Sequence, residues 1–232
     1  MVFLTGDIHG RADRLEETAR PILTKEDVLI LLGDVGANYF RDWRDRYTKT
    51  CLGAIKATVL CIHGNHEARP HTVSSYKEKV WNGGIVWYEE EFPNLLFAKD
   101  GEIFEIEGLR YLALGGAYSV DKEYRLARGY KWWSDEQPSD EIKVYVNQRI
   151  ASKKVDIVLS HTCPLRYIPI EMFLPGVNQS KVDQSTEEWL GEIESQIDYK
   201  AWFCGHWHTN KKVDRMHFLF NEWEHIDGTF AQ

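Results

Sequence analysis

Eight polar side chains lie in five short clusters along the chain, and their chemistry is that of a metal centre. They carry carboxylate, imidazole or amide groups: Asp7, His9, Asp34, Asn65, His66, His161, His206 and His208. Such groups bind divalent first-row metals, whereas thiolate-rich sets indicate structural zinc. Seven residues of these types, together with water, can complete the coordination of two ions if one carboxylate bridges the ions. Two ions about 3.5–4 Å apart are the usual arrangement in enzymes that catalyse displacement at phosphorus. The residue types therefore favour a two-metal centre acting on a phosphate ester.

Apolar runs of strand length precede all five clusters. Residues 2–4 run into GDIHG, 28–32 into GDVG, 58–62 into HGNHE, 157–159 into SHTCP and 201–204 into GHWH. Continuous apolar runs are typical of strands buried on both faces of an α/β sandwich. In α/β sheets ligands bind outside the carboxyl ends of strands, so we expect the clusters to converge on one site. Gly6, Gly33, Gly64 and Gly205 each precede a polar residue, and we expect them to provide abrupt turns.

Further runs predict strands over residues 95–97, 111–114 and 217–220. Helical periodicity appears over 140–152 and over 43–55, where Trp43, Tyr47, Cys51 and Ile55 recur every fourth position. A third helix is predicted from Ser185, with Glu188 completing a capping box. No linker or internal repeat interrupts the chain, so residues 1–232 are predicted to form a single mixed α/β domain.

The five clusters, in this order, resemble the calcineurin-like metallophosphoesterases, whose pattern is Asp-x-His, Gly-Asp, Gly-Asn-His plus an acid, a lone His, and Gly-His-x-His. The resemblance implies a four-layer α/β/β/α sandwich of two mixed sheets flanked by helices. It also implies two divalent ions, with Mn²⁺ expected first and Fe or Zn as alternatives. One ion would be held by Asp7, His9, Asp34 and His208, and the other by Asp34, Asn65, His161 and His206.

In this scheme Asp34 bridges the two ions, and a metal-bridging hydroxide attacks a phosphomonoester or phosphodiester. His66 acts as general acid or stabilises the leaving group. Ser/Thr protein phosphatases of this superfamily extend the second cluster to Gly-Asp-x-Val-Asp-Arg-Gly. There the later Asp orients the catalytic His and the Arg contacts phosphate, but this chain has Ala37 and Asn38. A protein phosphatase and a noncatalytic metal-binding scaffold therefore stand as alternatives, and the group that orients His66 is open.

Substrate selection is predicted for residues 117–137, a polar and aromatic segment that we expect to be a lid. Arg125 and Arg128 are candidate phosphate contacts, and Tyr118, Trp132 and the neighbouring aromatic residues are candidates for stacking on a base or aryl group. An ordered surface loop with arginines paired to carboxylates is the alternative. Two further candidates for phosphate are Asn38 and Arg69, although Arg69 could instead form a salt bridge to Glu67 or another acid. Residues 163–185 are expected to form another rim of the pocket.

Several residues near these motifs are expected to have structural roles only. His63, His71, His217 and His225 are predicted to be hydrogen-bonded core or surface residues. A structural Cys/His zinc site using Cys61 and Cys204 is disfavoured, because it leaves the Asp-rich clusters unexplained. For the apolar residues 165–173, packing is favoured over a membrane or partner surface.

The formal net charge of −8 disfavours extended binding to nucleic acid or anionic membranes. Two divalent ions would add four positive charges at one point, so a small phosphate ester, possibly a nucleotide, is the expected partner, and protein partners are not predicted. The four cysteines form no CxxC pair, and the chain has no apparent signal peptide or membrane-length apolar stretch. These features predict reduced thiols and a cytoplasmic location.

Overall fold

The computed structural model describes residues 1–226, which form two β-sheets packed face to face with helices on their outer sides. Residues 227–232, which the predicted single domain also includes, lie outside the described part of the chain.

The strands, in chain order, are β1 (Val2–Thr5), β2 (Val28–Leu31), β3 (Thr58–Cys61), β4 (Lys77–Trp81), β5 (Gly84–Tyr88), β6 (Leu95–Ala98), β7 (Ile103–Ile106), β8 (Leu109–Leu114), β9 (Ile157–Ser160), β10 (Ala201–Cys204), β11 (Lys211–Val213), β12 (Met216–Phe218) and β13 (Glu224–Ile226). The α-helices are α1 (Ala12–Ala19), α2 (Asp45–Gly53), α3 (Lys122–Arg128), α4 (Asp140–Ser152) and α5 (Ser185–Gln196). Single 3₁₀ turns span Pro70–Thr72, Leu165–Tyr167, Ile170–Met172 and Gln179–Lys181.

Both sheets are mixed. The first has the strand order β13-β1-β2-β3-β6-β5-β4, and the second has the order β11-β12-β10-β9-β8-β7. The strands β1, β2, β3 and β6 are parallel, as are β8, β9, β10 and β12. Parallel neighbours end at the same edge of a sheet, so the segments after β1, β2 and β3 are brought together, as are those after β9 and β10.

Three apolar clusters hold the layers together. Between the sheets, side chains such as Leu4, Ile30 and Phe203 interdigitate. The outer face of the first sheet packs on α1 and α2 through residues such as Leu52, and the outer face of the second packs on α4 and α5 through residues such as Ile193. Full burial of each such side chain contributes about 1.5–3 kcal/mol. The layers α, β, β and α confirm the predicted architecture.

All the predicted strands form, with small shifts at their ends, and the helix over 140–152 has the predicted bounds. The strands that the patterns missed are β4, β5, β7, β11 and β13, and the missed helices are α1 and α3. β4 reads KEKVW and its residues are half-buried or exposed, so it carries no continuous apolar run. Cys61, Cys163 and Cys204 are buried free thiols, and Cys51 is half-buried and free.

One local prediction is half right and another is wrong. On the face predicted for the helix over 43–55, Cys51 and Ile55 pack in the core, but Trp43 and Tyr47 are 80% and 62% exposed, while Leu52 is buried. The helix begins only at Asp45, and a four-residue step drifts around a helix with 3.6 residues per turn. Ser185 is the first residue of α5 rather than its cap, and its backbone N–H donates to Oδ1 of Asp183 instead.

Candidate metal centre and adjoining cavity

The polar clusters at the ends of the two sets of parallel strands meet at one place. Asp7, His9 and His208 have ligand atoms that all lie within 4.8 Å of one another. Nε2 of His9 is 2.9 Å from Nε2 of His208. Two imidazole nitrogens approach this closely when they share a proton or bind a common cation, so these three residues form one group that could hold a metal ion.

A second group, which also includes Asp7, lies beside the first. The ligand atoms of Asp7, Asp34 and His161 are likewise within 4.8 Å of one another. Oδ1 of Asp34 is 3.5 Å from Nε2 of His161, and Oδ2 of the same carboxylate is 3.9 Å from Nδ1 of His9. The two oxygens of Asp34 therefore face histidines of both groups.

Asn65 joins the second group to His206. Its Oδ1 lies 2.8 Å from Nε2 of His161 and 3.1 Å from Nδ1 of His206. Its Nδ2 donates to Oγ of Ser119 at 2.9 Å, and Oγ of Ser119 donates to Glu136. This chain of hydrogen bonds directs the amide oxygen into the site. Sequence reasoning missed Ser119 and Glu136, because a Ser and a Glu in a loop carry no motif.

The donor set fits divalent cations. Two carboxylates, four imidazoles and an amide oxygen suit borderline first-row ions. Both carboxylates are buried, as are the side chains of Asn65 and His161. A buried cluster of two carboxylates is costly unless positive charge compensates it, which metal ions would supply.

Four of the candidate ligands have positive φ angles. These are 46° at His9, 47° at Asp34, 64° at His206 and 48° at His208. Positive φ is uncommon for residues other than glycine and costs of order 1–3 kcal/mol when the surroundings impose it. Such strain clusters at functional sites, where it aims side chains at one point.

The glycines of the motifs are needed mainly for close approach. A Cβ at Gly33 would lie 2.1 Å from Nδ1 of His161, and one at Gly64 would lie 2.1 Å from the backbone N of Asp34. A Cβ at Gly205 would similarly lie 2.7 Å from a carboxylate oxygen of Asp7, and one at Gly6 would collide with a backbone carbonyl from a distant part of the chain. Only Gly33 among these four has a positive φ. A positive φ thus accounts for glycine at position 33 only, and close contacts exclude a Cβ at all four positions.

Burial and neighbouring charges set the electrostatics of the centre. Burial raises the pKa of Asp7 to about 7, and the charge of Asp34 adds to this rise. Burial also opposes ionisation of Asp34, but the nearby His161, His66 and His9 outweigh it and lower the pKa of Asp34. Burial likewise raises the pKa of Glu67 to about 7. Its carboxylate accepts from the backbone N–H groups of Val35, Gly36 and Gly64, so Glu67 braces the loop that carries Asp34.

His66 stands beside the two groups and belongs to neither. Its backbone N–H donates to Oδ1 of Asp34 at 2.8 Å. Nη2 of Arg125 lies 3.2 Å from Nε2 of His66, and Nε of Arg125 donates to Oδ2 of Asp121 at 2.8 Å. Arg125 belongs to α3 within residues 117–137, so this segment does extend to the site. The Asp121 contact matches the alternative in which its arginines pair with carboxylates.

The other substrate candidates have different surroundings. Tyr118 lines the cavity beside the centre. Trp132 donates its indole N–H to Glu136 at 2.7 Å, which makes it a brace of the loop. The guanidinium of Arg128 lies over the ring of Tyr124, and Arg128 is exposed on α3. Of these three, only Tyr118 is among the residues that line the cavity.

Asn38 and Arg69 are buried away from the cavity. Asn38 is 1% exposed, and its Oδ1 accepts from the hydroxyl of Tyr76 at 3.0 Å. Arg69 is 5% exposed and forms an ion pair of 2.6 Å with Asp100, which confirms the alternative of a salt bridge to an acid, although the acid is not Glu67. Neither residue lines the cavity. Their polar groups hold the loops behind the site.

A cavity of about 260 Å³ opens from the centre, with Asp34, Asn65, His66, His206 and His208 on one side. Its other side is formed largely by residues 168–187, including Ile168, Met172 and Phe173. The expectation that residues 163–185 form a rim of the pocket is thus confirmed. Part of the apolar segment 165–173 forms pocket wall, while Leu165 and Ile170 are 40% and 73% exposed.

The residues predicted to be structural lie outside the two candidate metal-binding groups found among residues 1–226. His217 contacts Glu224 at 2.7 Å, as expected for a paired histidine, whereas neither ring nitrogen of the buried His63 has a hydrogen-bond partner. Burial raises the pKa of the Cys61 and Cys204 thiols well above the usual value, which disfavours metal-binding thiolates. Within the described residues, no helix is both long enough and apolar enough to cross a membrane.

Comparisons with known proteins agree with this picture. The family model "calcineurin-like phosphoesterase" matches residues 1–210. A solved structure from Thermus thermophilus is similar with a TM-score of 0.50 and 13% identity, covering 88% of this chain and 80% of that chain.

Two further solved structures have lower TM-scores. A protein of unknown function from Aquifex aeolicus gives a TM-score of 0.44 with 14% identity over 95% of this chain and 88% of its own. A phosphopantetheinyl hydrolase from Mycobacterium tuberculosis gives 0.42 with 14% identity over 94% and 87%. No curated protein sequence matches this chain.

Proposed function

Because the chain belongs to the calcineurin-like phosphoesterase family, we propose that it is a two-metal hydrolase of a phosphomonoester or phosphodiester with a small or nucleotide-like alcohol group. The observation that carries this proposal is the position of Asp34, whose two oxygens face histidines of both ligand groups. A carboxylate in this position is suited to bridge two cations.

The proposed ligands of the first ion are Asp7, His9, Asp34 and His208, and those of the second are Asp34, Asn65, His161 and His206. We expect Mn²⁺ first, with Fe or Zn as alternatives, because mixed carboxylate and imidazole donors accept all three. When bound, two such ions neutralise charge on the phosphoryl oxygens and lower the pKa of a coordinated water.

The chain's own residues would then position the ester. Arg125 offers a guanidinium beside Nε2 of His66, where it can donate to a phosphoryl oxygen. His66 is assigned as the group that gives a proton to the leaving oxygen. Burial lowers the pKa of His66, and the charge of Arg125 adds to this, while the charge of Asp34 opposes the shift. Tyr118 lines the cavity at the place where a leaving group would stack.

The alternative of a Ser/Thr protein phosphatase receives no support from position 38. Asn38 is buried and bonded to Tyr76, so the place at which that branch has a phosphate-binding Arg holds a core residue. The noncatalytic scaffold is less well supported than an enzyme, because a docking site has no need of His66 and Arg125 poised together beside the ligands.

We propose further that residues 1–232 act as one domain and that the protein works in the cytoplasm. The second proposal is supported by the free, buried thiols of Cys61, Cys163 and Cys204, which suit a reducing compartment.

Hydrolysis of p-nitrophenyl phosphate and of bis(p-nitrophenyl) phosphate tests the reaction class. We expect turnover of at least one ester when Mn²⁺ is added. Absence of turnover of both, in protein that has been shown to hold two ions per chain, would contradict the proposal and favour the scaffold.

A further inference from the structure

Beyond the candidate metal ligands, the wall of the cavity is largely apolar, although Gln179 and Gln184 also line it. It is formed by one aliphatic and aromatic surface, of which the main residues are Ile168, Phe173, Leu174, Val177, Val182 and Trp207. On the other side, Tyr118 and Val120 continue this surface. A group leaving from phosphorus would enter this space, because the same cavity is bounded by Asp34 and His66.

Trp207 ties the apolar wall to the metal centre. It lies between His206 and His208 in the sequence, and its indole N–H donates to Oγ1 of Thr162 at 3.2 Å. Its ring faces that of Phe173, with centroids 6.3 Å apart. The apolar surface therefore begins at the ligands themselves and is held in place by a hydrogen bond.

Four acidic residues line the cavity, namely Asp34, Asp121, Asp183 and Glu187, and burial raises the pKa of Glu187 to about 7. No Lys or Arg of the described residues lines the cavity. The nearby Arg125 reaches His66, at the end of the cavity where phosphate would bind. A second phosphate on the leaving group would thus meet carboxylates and apolar side chains without a cation to offset its charge.

We propose that this site takes phosphate esters whose leaving alcohol is an apolar, uncharged alkyl or aryl group and discriminates against leaving groups that carry further phosphate. The inference rests on the proposed phosphoesterase function and narrows its substrate class. The volume of about 260 Å³ compares with about 150 Å³ for a cavity that holds benzene. One ring or a short alkyl chain therefore fits beside the phosphate.

Three phosphate esters with primary alcohol leaving groups distinguish the effect of the polarity of the leaving group from the effect of its charge. Hexyl phosphate carries the apolar group, glycerol 3-phosphate carries a polar one, and 1,6-hexanediol bisphosphate repeats the hexyl chain with a second phosphate at its far end. For protein loaded with Mn²⁺, we expect kcat/KM to be at least tenfold higher for hexyl phosphate than for either of the others. If the protein hydrolyses only diesters, the methyl diesters of these three phosphates are used as substrates instead.

Substitutions in the wall test whether the preference comes from this surface. Phe173→Ala and Val177→Ser should lower kcat/KM for hexyl phosphate about tenfold and change that for glycerol 3-phosphate less than twofold. Ile170→Ala is the matched control, because Ile170 lies in the same segment, is 73% exposed and does not line the cavity. It should leave the ratio of the two substrates unchanged.

The outcomes separate the two proposals. Hydrolysis of p-nitrophenyl esters without a preference for hexyl phosphate would overturn the inference and leave the phosphoesterase function standing. A higher kcat/KM for the bisphosphate, or equal losses on both substrates in the wall variants, would also overturn it. Failure to hydrolyse any ester with both ions bound would instead remove the proposed function itself.

Discussion

The guanidinium group of Arg125 lies against the ring of His66, with Nη2 of the arginine 3.2 Å from Nε2 of the histidine. Arg125 is held in turn by Asp121, one helical turn earlier. In the related protein phosphatases an Asp orients this histidine, and here that position is Ala37. Arg125 therefore supplies a partner for His66 from a different part of the chain.

Replacing Arg125 with Ala should lower kcat/KM for a phosphate ester by about 10- to 100-fold, because a hydrogen bond to a charged group contributes about 1.5–3 kcal/mol. Arg125→Lys should recover part of this loss, since it restores charge without the planar fork. Steady-state kinetics on p-nitrophenyl phosphate and its bis ester measure the loss in Arg125→Ala and the recovery in Arg125→Lys. Arg128→Ala, on the same helix but with its guanidinium over Tyr124, should cost less. A larger loss in Arg128→Ala would assign the phosphate contact to Arg128.

His66→Ala should retain two metal ions and lose turnover by about 10²–10⁴-fold, the usual contribution of a proton-transferring group. Elemental analysis and kcat on the same preparation measure the two effects separately. His71→Ala replaces an exposed histidine outside the site and serves as the control. Loss of an ion in His66→Ala would make His66 a ligand, and an unchanged kcat would remove its role in catalysis.

Gly33→Ala should damage the centre more than a positive φ alone explains. Gly33 and Gly108 both have positive φ, at 94° and 77°, but only a Cβ at Gly33 would collide, at 2.1 Å from Nδ1 of His161. Gly108→Ala, with nothing within 4 Å, should cost about 1–2 kcal/mol in the free energy of unfolding. Gly33→Ala should cost more and also reduce the bound metal. Equal stability and equal metal content in both variants would contradict this account of the glycine.

Arg69→Ala should act on stability and hardly on substrate binding. The ion pair of Arg69 with Asp100 is buried, and removing one partner of such a pair costs about 3–5 kcal/mol. Asp100→Ala should show a similar loss in chemical denaturation. Arg110→Ala removes a more exposed pair with Asp156 and should cost about 1 kcal/mol or less. A large rise in KM for Arg69→Ala, with an unchanged free energy of unfolding, would contradict this account and indicate that Arg69 contacts the substrate.

Much of the fold and the position of the candidate metal centre follow from local patterns. Strands such as β2 and β10 are buried on both faces, so their sequences are continuous apolar runs that stand out from the rest of the chain. The clusters after them could be located because parallel strands end at a common edge. Such residues can be predicted from the sequence because the residue type at each position already indicates burial or metal binding.

The parts that the patterns missed depend on contacts between distant residues. The role of Ser119 comes from its hydrogen bonds to Asn65 and Glu136, and no pattern in the segment AYSVD predicts these bonds. Arg69 is polar in sequence but buried in the fold, because its charge is matched by Asp100, which lies 31 positions later. The apolar wall of the cavity is similarly built from residues whose sequence pattern suits packing equally well.

The central claim is a two-metal centre that hydrolyses phosphate esters, and a single titration tests it most directly. Metal-stripped protein is titrated with Mn²⁺ while bound ions per chain and the initial rate of p-nitrophenyl ester hydrolysis are followed together, with Asp34→Asn treated in parallel. We predict that the rate rises as the second ion binds, and that Asp34→Asn neither holds two ions nor turns over. Two ions bound by Asp34→Asn, or a wild-type rate that does not depend on bound metal, would contradict the account.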